Sequence, residues 1–474
     1  MKKIQKYWII FPFLILLVLN LYAELPKSKV VIYPAPEGVP INKDFIVAVE
    51  KSSIPVYLAR VSREDQRVKE ISVPYYDTAG YAYFDMNEPV LVKVTYREKI
   101  NEVKILPTSY GIKSKISGNS VSFKVPSPMN LTIEFNGDWV GSLHLFANPH
   151  EENVPDPKDP NVIYFGPGVH ELGSLSIGDN KTLYIAGGAY IKALITPEEL
   201  ASGRKSYSPT FSLRGKNITV RGRGIIDGTL CPTRSRNMFM FRGCSDVEIE
   251  GIILHDGSPW FMPIRQSSNV HVDNIKMIGY RGNSDCIDIA NCTDVLVEKC
   301  FLRSSDDLIV IKSDRNQGQV KHIVAKNCVL WNQFAHALSI GAELRENVDD
   351  VLFTDCDVIH DKGREWSLRV FHCDSSVISN IRFENIRVED CRRLMSLWIG
   401  RSVWSLDKEK RGWIKDVTFK NITANGDPMT IAFTGADEKH DIKNVLFENV
   451  KINGRPIRKE DIEMKFTNNV NIKP

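Results

Sequence analysis

The stretch TDVLVEKCFL at residues 293–302 decides the fold, because versions of it recur through the second half of the chain. Its third, fifth and eighth positions, Val295, Val297 and Cys300, are apolar. Apolar residues at alternate positions, followed by a shift in their spacing, are typical of a strand, a turn and a second strand that share one buried face. A helix would need apolar residues three and four apart over a longer run.

Copies of this unit follow one another to the end of the chain, and their third and fifth positions are always apolar. A unit of this length cannot bury its own apolar face, so it has to stack on its neighbours. The copies predict an all-β chain with a parallel β-solenoid, one coil per repeat. A propeller is the alternative, but it needs longer repeats and more hairpin turns. The copies start at Lys216, Ser245, Ser268, Thr293, Lys321, Asp349, Ser379, Lys415 and Lys443.

Asparagine recurs at the sixth or seventh position of the repeat, which predicts a stacked ladder of Asn at one corner. Asn suits this place because it tolerates left-handed backbone geometry. The residues concerned are Asn274, Asn327, Asn385, Asn421 and Asn449.

The nine cysteines lie between Cys231 and Cys391, and Cys300, Cys328 and Cys356 replace aliphatic residues at one coil position. We expect buried thiols that pack as small hydrophobic groups. Disulfides between neighbouring coils remain the alternative, whereas a zinc site lacks any CxxC motif.

Length and composition predict a globular protein with room for two domains. The chain has 474 residues, of which 43% are hydrophobic and 25% charged, and its formal net charge is +3. Lys2, Lys3 and Lys6 contribute to that charge, so the remainder is close to neutral. This balance argues against a nucleic-acid partner, which needs a basic excess.

The first residues predict a signal peptide over residues 1–23. Lysines precede the apolar run from Trp8 to Leu19, and Leu21-Tyr22-Ala23 offers a cleavage site. An uncleaved anchor is the alternative, although the run is short for a ~30 Å bilayer core. We therefore expect a secreted or periplasmic protein without membrane contact after cleavage.

Residues 24–150 contain short β runs separated by Gly, Pro, Asn and Asp, which predicts a small antiparallel β-sandwich. The proline-rich segment 148–161 predicts the boundary to a β-helix domain over residues 151–474. For the sandwich, we favour packing against the end of the solenoid over a role in substrate docking.

Polar clusters open β-type runs at the same place in successive coils. NSDCIDI begins at residue 283, SDDLIVIK at 305 and HALSIG at 336. Because coils stack about 4.8 Å apart, Asp285, Asp307 and His336 are expected to form one column. Alone, each would be explained as a turn cap or a hydrogen-bonded histidine. Together on one face they indicate acid–base chemistry.

Neighbouring coils extend this column with Trp260 and Trp366, and they place Arg369 beside Ser339. Aromatic rings around carboxylates suit a sugar, which has apolar faces to stack and a glycosidic oxygen to protonate. Asp288 is interpreted as structural.

The solenoid resembles the polygalacturonase family of inverting glycoside hydrolases and the related dextranase–isopullulanase family, which share the pectin-lyase-like right-handed β-helix. The polygalacturonase-like motifs are GRGIIDG at residue 222, SPWFMPI at 258, NSDCIDI at 283, SDDLIVIKS at 305 and HALSIG at 336. The dextranase-like motifs are FANP at 146, NVIYFGPGVHELG at 161 and DVLFTDCDVIHD at 350, together with the preceding sandwich.

This resemblance implies a polysaccharide or oligosaccharide substrate and no metal or organic cofactor. It makes Asp306 the general acid, while Asp285 and Asp307 hold and activate the attacking water. His336 bridges the cluster, and Asn283 contacts the substrate. The inverting layout implies acid and base about 6.5–9.5 Å apart, and clustered carboxylates raise one another's pKa.

The sequence departs from the polygalacturonase pattern at several places. Cys286 and Ala337 replace glycines, and Arg369-Val370-Phe371 keeps the arginine but loses the lysine of a triplet that grips the galacturonate carboxylate. Lys312 and Arg345 are candidates for supplying positive charge instead. A dextranase-type hydrolase of a neutral α-glucan is therefore an alternative.

Two other classes stay open. A pectate-lyase-like enzyme would combine a Ca²⁺ site with an Arg or Lys base. A non-catalytic, carbohydrate-binding β-solenoid would bind a glycan without turnover.

Overall fold

A computed structural model describes residues 28–63, 75–427 and 429–473. The predicted signal peptide lies outside these residues. The described part is almost entirely β-structure; its α-helix, α1, spans Pro197–Ala201, and 3-10 turns cover Thr108–Tyr110 and Lys459–Asp461. Within the described ranges, no helix combines the length and the apolar character needed to cross a bilayer.

The N-terminal part forms two facing sheets around a core of its own. The first contains β1 (Val30–Val31), β4 (Tyr57–Ser62), β5 (Tyr76–Met86), β7 (Val103–Leu106), β10 (Met129–Phe135) and β11 (Asp138–Pro149). The second contains β2 (Phe45–Val49), β3 (Ser52–Ile54), β6 (Val90–Tyr96), β8 (Ser114–Ser117) and β9 (Ser120–Val125). All pairings are antiparallel except β5 with β11, which run parallel, so the predicted antiparallel sandwich contains one parallel pair.

Residues after 161 form a parallel β-helix with three strand ladders, two of which the hydrogen bonds join into one 21-stranded sheet. The site ladder comprises β14 (Leu175–Ile177), the first halves of β17 (Phe211–Gly222) and β19 (Phe239–Glu250), β21 (Met262–Arg265), β24 (Ile287–Ala290), β27 (Ile309–Ser313), β30 (Leu338–Leu344), β33 (Leu368–His372), β36 (Arg393–Ile399), β39 (Thr430–Thr434) and β43 (Glu463–Lys465).

The repeat ladder carries the recurring sequence unit. It comprises β12 (Val162–Phe165), β15 (Thr182–Ile185), the second halves of β17 and β19, β22 (Ser268–Asp273), β25 (Thr293–Glu298), β28 (Val320–Lys326), β31 (Val348–Thr354), β34 (Val377–Glu384), β37 (Trp413–Lys420), β40 (Ile442–Glu448) and β44 (Thr467–Lys473).

The docking ladder is the third face, a 12-stranded sheet. It comprises β13 (Gly168–Leu172), β16 (Ala189–Ala193), β18 (Ile225–Asp227), β20 (Ile253–His255), β23 (Lys276–Ile278), β26 (Phe301–Ser304), β29 (Val329–Asn332), β32 (Asp357–Asp361), β35 (Arg387–Val388), β38 (Thr423–Ala424), β41 (Lys451–Ile452) and β42 (Arg455–Pro456).

The register of the repeat ladder confirms the alignment of the sequence units. Ser245 pairs with Ser268, Ser268 with Thr293, and Thr293 with Lys321. The apolar third, fifth and eighth positions fill one continuous interior core. The predicted all-β parallel β-helix is therefore confirmed.

The corners of the coils use left-handed backbone, as predicted for the Asn ladder. Asn385, Asn421 and Asn449 have φ of 53°, 52° and 52°. Asn421 Nδ2 donates to Asn385 Oδ1 at 2.9 Å, and Asn449 Nδ2 donates to Asn421 Oδ1 at 2.8 Å. A second left-handed position, which the sequence analysis missed, lies at the second residue of each copy, for example Asn444 at 57°.

All nine cysteines are buried and free. Cys300, Cys328 and Cys356 occupy equivalent places on successive coils, next to the pairs Phe301–Val329 and Val329–Asp357. The prediction of stacked thiols is confirmed, and the disulfide alternative is wrong in this structure.

The sandwich covers the side of the β-helix rather than its end, so the expected position of this packing is wrong. Tyr81 and Phe146 of the sandwich share one core with Ile253, Phe301 and Trp331 of the docking ladder. Since the docking ladder is apolar on both faces, its outer face has to be covered.

Candidate active site

The predicted column exists as a run of neighbouring coils on the site ladder. Met262 pairs with Ile287, Ile287 with Ile309, Ile309 with Leu338, and Leu338 with Leu368. The residues two places before each of these are Trp260, Asp285, Asp307, His336 and Trp366. Backbone hydrogen bonds continue the ladder through them, from Phe261 N to Asp285 O and from Leu308 N to His336 O.

The two residues that replace glycines of the polygalacturonase pattern lie in the core and not in the site. Cys286 and Ala337 are fully buried in the interior cluster, as is Leu308 on the coil between them. The next residues, Ile287 and Leu338, also face inward. The chain therefore bends before each strand begins, and this bend turns the preceding acidic or imidazole group to the outside.

Asp306 is held by main-chain amides. Asn283 N donates to its Oδ2 and Asp307 N donates to its Oδ1, both at 3.1 Å. One oxygen each from Asp285, Asp306 and Asp307 lies within 4.8 Å of the other two. This closest approach is shorter than the separation of about 6.5–9.5 Å expected for an inverting pair, so that expectation is wrong for the nearest oxygens.

Burial and mutual repulsion favour protonation in this cluster. Burial and the Asp285 carboxylate raise the pKa of Asp306 to about 7. Burial, followed by Asp285 and Asp306, raises the pKa of Asp307 well above its usual range. Carboxylates this close titrate as one unit, and near neutrality the cluster retains a proton that is available for donation.

Lys312 supplies the cationic partner of the cluster. Its Nζ donates to Asp285 Oδ2 at 2.9 Å and to Asp288 Oδ1 at 2.7 Å, and it lies 4.1 Å from the centre of the Trp260 ring. Burial alone would lower the pKa of Lys312, but Asp285 and Asp288 raise it well above its usual value. With its charge engaged in this way, Lys312 is placed to orient Asp285.

His336 is a neutral imidazole with a defined orientation. Burial and the charge of Arg369 hold the pKa of His336 well below its usual range. Its Nδ1 donates to Trp366 O at 2.8 Å, which leaves Nε2 to accept from Arg369 Nη1 at 3.3 Å. Arg369 also binds Glu365 Oε2 at 2.5 Å. The guanidinium of Arg369 is therefore held between His336 and Glu365 at the wall of the site.

A cavity of about 390 Å³ gathers almost all of the predicted site residues at its wall. Trp366 is the exception: it occupies its predicted rung but does not line the cavity, and it contributes its carbonyl to His336. The predicted residues that do line the cavity are Trp260, Asn283, Asp285, Asp306, Asp307, Lys312, His336 and Arg369.

Two further lining residues, Arg234 and Arg364, were missed by sequence reasoning because they come from loops between the coils. Arg234 and Arg364 are exposed cations at the wall, and Arg364 lies 4.4 Å above the Phe334 ring. An adjoining cavity shares Trp260 and Lys312 and includes the predicted Arg345. Asp288, interpreted from the sequence as structural, also shares the Lys312 ammonium.

Three clusters of described residues bring oxygen or nitrogen ligands close enough for a metal ion. The Asp285–Asp306–Asp307 trio is one, and Asp227 with His255 and Asp256 is a second. The third comprises His271, Asp273 and Glu298. Arg60 already binds Asp256, so the second cluster has a cation of its own.

Curated relatives resemble parts of the chain. An exopolygalacturonase (clone GBGE184) of Arabidopsis thaliana is 25% identical over 192 residues, which cover 38% of this chain and 42% of that protein. An isopullulanase of Aspergillus niger is 22% identical over 370 residues, covering 64% of this chain and 61% of that one. The chain thus spans between two fifths and two thirds of these relatives' lengths.

Solved structures share the fold at low identity. A hyperthermoactive exopolygalacturonase from Thermotoga maritima aligns with a TM-score of 0.53 and 18% identity over 66% of this chain and 83% of its own. Dex49A from Penicillium minioluteum aligns with a TM-score of 0.55 and 13% identity over 91% of this chain and 92% of its own. The model of glycosyl hydrolases family 28 matches residues 213–471, more than half of the sequence. The chain therefore belongs to glycosyl hydrolases family 28.

Proposed function

We propose that this protein is an exported glycoside hydrolase that cleaves O-glycosidic bonds of a polysaccharide by acid–base catalysis. The observation that carries the proposal is the meeting of Asp285, Asp306 and Asp307 in one cavity, with the pKa of Asp306 raised to about 7. A carboxylic acid that is protonated near neutrality can donate its proton to a leaving glycosidic oxygen.

In this mechanism Asp306 is the general acid, as the family resemblance implies. Asp285, ion-paired to Lys312 at 2.9 Å, carries the negative charge that accepts a proton from the attacking water. Asp307 helps to hold that water, and neutral His336, which accepts a hydrogen bond from Arg369, lines the same cavity. Inversion at the anomeric carbon follows from the resemblance, because the short carboxylate spacing does not support it by itself.

The substrate class that we favour is an acidic glycan such as a polygalacturonan. The wall of the cavity carries Arg234, whose side chain forms no hydrogen bond or ion pair to the described residues, and Arg369. A neutral α-glucan is the second candidate, supported by the dextranase-like sequence motifs and by the similarity to an isopullulanase over 370 residues.

The deciding experiment offers polygalacturonan, rhamnogalacturonan, dextran and pullulan to the purified protein and follows new reducing ends and the product anomer by proton NMR. We expect hydrolysis of an acidic glycan with inverted product, and no turnover by an Asp306→Asn variant that folds normally. A product absorbing in the ultraviolet would indicate a lyase. Binding without turnover, equal in wild type and variant, would indicate a binding solenoid.

A further inference from the structure

Asp227, His255 and Asp256, here called the interface cluster, lie where the sandwich covers the docking ladder, and none of them lines the catalytic cavity. Asp227 ends β18 and His255 ends β20, and the register pairs these two residues on neighbouring coils. Ile225 and Ile253, two residues earlier in each strand, face the sandwich. Since side chains alternate along a strand, Asp227 and His255 face it too. One atom from each residue of the cluster lies within 4.8 Å of the other two.

The hydrogen bonds of Tyr190 determine which ring nitrogen of His255 carries the proton. The Tyr190 hydroxyl donates to Asp227 Oδ2 at 2.9 Å and lies 3.1 Å from His255 Nε2. Because a hydroxyl has a single proton to donate, it accepts its second hydrogen bond from Nε2–H. His255 Nδ1 lies 3.3 Å from Asp227 Oδ1 without the geometry of a hydrogen bond, and it has no other partner among the described residues. This nitrogen therefore offers a lone pair to a ligand.

Asp256 also presents an unused oxygen to the cluster. Its Oδ2 accepts from Arg60 Nε at 2.5 Å and from Thr229 Oγ1 at 2.9 Å, whereas Oδ1 has no partner in the described ranges. Asp256 and His255 are 1% and 3% exposed, so both are shielded from bulk water. Leaving a buried nitrogen and a buried carboxylate oxygen unpaired is costly. A cation held between them would satisfy both atoms.

The charge and the chemistry of the cluster favour a transition metal. Arg60 offsets one of the two carboxylates, and a neutral His255 offsets neither. Asp227 Oδ1 accepts one hydrogen bond, from Thr229 N at 2.8 Å, and keeps a lone pair for an ion. One imidazole nitrogen among carboxylate oxygens suits zinc, whereas calcium and magnesium prefer oxygen ligands alone. The imidazole is also oriented through its other nitrogen, as is usual for a metal-binding histidine.

The other two candidate clusters lack this combination. The catalytic trio offers oxygen ligands only. In the third cluster, His271 Nε2 hydrogen-bonds to Glu298 Oε1 at 2.9 Å, and Lys299 Nζ donates to Asp273 Oδ1 at 3.2 Å. That cluster lies at the surface, with 38% of the His271 side chain exposed. Among the clusters of described residues, the interface cluster alone combines a nitrogen ligand with buried, unpaired atoms.

We propose that the interface cluster is a structural zinc site, with Asp227 Oδ1, His255 Nδ1 and Asp256 Oδ1 as its protein ligands. The ion joins two coils of the docking ladder, and through Asp256 and Arg60 it ties them to the sandwich. Asp256 also lies in the segment that leads to Trp260 at the wall of the catalytic cavity. This inference does not depend on the proposed function.

The test measures zinc by atomic emission in the full chain purified from zinc-supplemented cells. We expect about one ion per chain in the wild type and a melting temperature a few degrees above that of the chelator-treated protein. The amide of a His255→Gln variant can still donate to Tyr190 but offers no ligand in place of Nδ1, so its zinc content should fall at least about tenfold. The control is His271→Gln, the same change in the surface cluster, which should keep the ion.

X-ray absorption at the zinc edge of the wild type keeps the test independent of how well the variants fold. We expect the scattering of a single imidazole and otherwise oxygen neighbours at about 2.0–2.2 Å. A sulfur neighbour at about 2.3 Å would place the ion on a cysteine and overturn the proposal. Equal zinc in wild type and His255→Gln, or its loss from His271→Gln, would overturn it as well. A wild type without zinc would reject the site and make His255 an imidazolium paired with Asp227. Each of these outcomes leaves the glycoside hydrolase proposal untouched.

Discussion

Lys312 Nζ lies 2.9 Å from Asp285 and 2.7 Å from Asp288, so a single ammonium joins carboxylates on both sides of the Cys286–Ile287 bend. These three groups are buried. Removing one partner of a buried ion pair leaves an uncompensated charge, which is more costly than the pair itself.

We therefore expect Lys312→Met to lower the free energy of unfolding by about 3–5 kcal/mol and to reduce kcat at least about tenfold. Urea denaturation and initial rates measure the two effects. The double variant Lys312→Met/Asp288→Asn should regain part of the stability, because one buried charge is gone, but not the activity. A Lys312→Met variant with wild-type kcat would show that Lys312 does not contribute to catalysis.

The activity should fall on the alkaline side of neutrality. Burial and the Asp285 carboxylate raise the pKa of Asp306 to about 7, so the proton it donates is lost as pH rises through that value. Above it, kcat/KM is expected to decline about tenfold per pH unit. A profile that stays flat to pH 9 would contradict the acid role of Asp306.

The same carboxyl group should affect stability. Its folded pKa of about 7 lies above the unfolded value of about 3.9, so the native state binds the proton more tightly. The stability contributed by protonated Asp306 is complete below about pH 4 and is lost as pH rises through about 7. Urea midpoints between pH 4 and 8 should show this loss in wild type and a smaller one in Asp306→Asn.

Much of this site follows from the sequence because the repeat length equals one coil. Once the units are aligned, residues at equal positions must stack, and this brings Asp285, Asp307 and His336 together without further information. Stacking does not, however, reveal side-chain direction at a bend. Cys286 and Ile287 both face the core, which breaks the alternation and turns Asp288 to the same outer side as Asp285.

The position of the sandwich was not predictable from its own strands, since nothing in them specifies a partner surface. A signal existed in the β-helix: Phe301 and Trp331 are apolar residues on the outer face of the docking ladder. The arginines of the cavity wall were missed for another reason. Arg234 and Arg364 lie in loops, where no repeat fixes their place in space.

The sandwich also touches the catalytic turn. Gln333 Nε2 donates to the carbonyls of Ser62 and Arg63, both at 2.9 Å, and the neighbouring Asn332 Nδ2 donates to Asp306 O at 2.7 Å. Gln333→Ala should therefore loosen the turn that positions Asp306, with a loss of about tenfold in kcat and little change in KM.

Steady-state kinetics and a thermal melt of the Gln333→Ala variant make this measurement. The control is Gln317→Ala, at an exposed residue away from the cavity wall. A change in KM without a fall in kcat, or an equal fall in kcat in the control variant, would refute a positioning role for Gln333.

The Asn ladder allows backbone strain and hydrogen bonding to be separated at one residue. Asn421 has a φ of 52° and bonds to Asn385 and Asn449 through its amide. Asn421→Gly removes the hydrogen bonds but accepts the left-handed backbone, whereas Asn421→Ala also incurs a left-handed penalty of about 1–2 kcal/mol. Glycine in turn loses more backbone entropy on folding, by roughly 0.5–1 kcal/mol, so the alanine variant should be the less stable by about 1 kcal/mol. Urea denaturation measures which of the two variants is less stable. We expect kcat to be unchanged in both, because Asn421 does not line the cavity. If alanine proves as stable as glycine, the corner is kept by its hydrogen bonds and not by the backbone conformation that Asn permits.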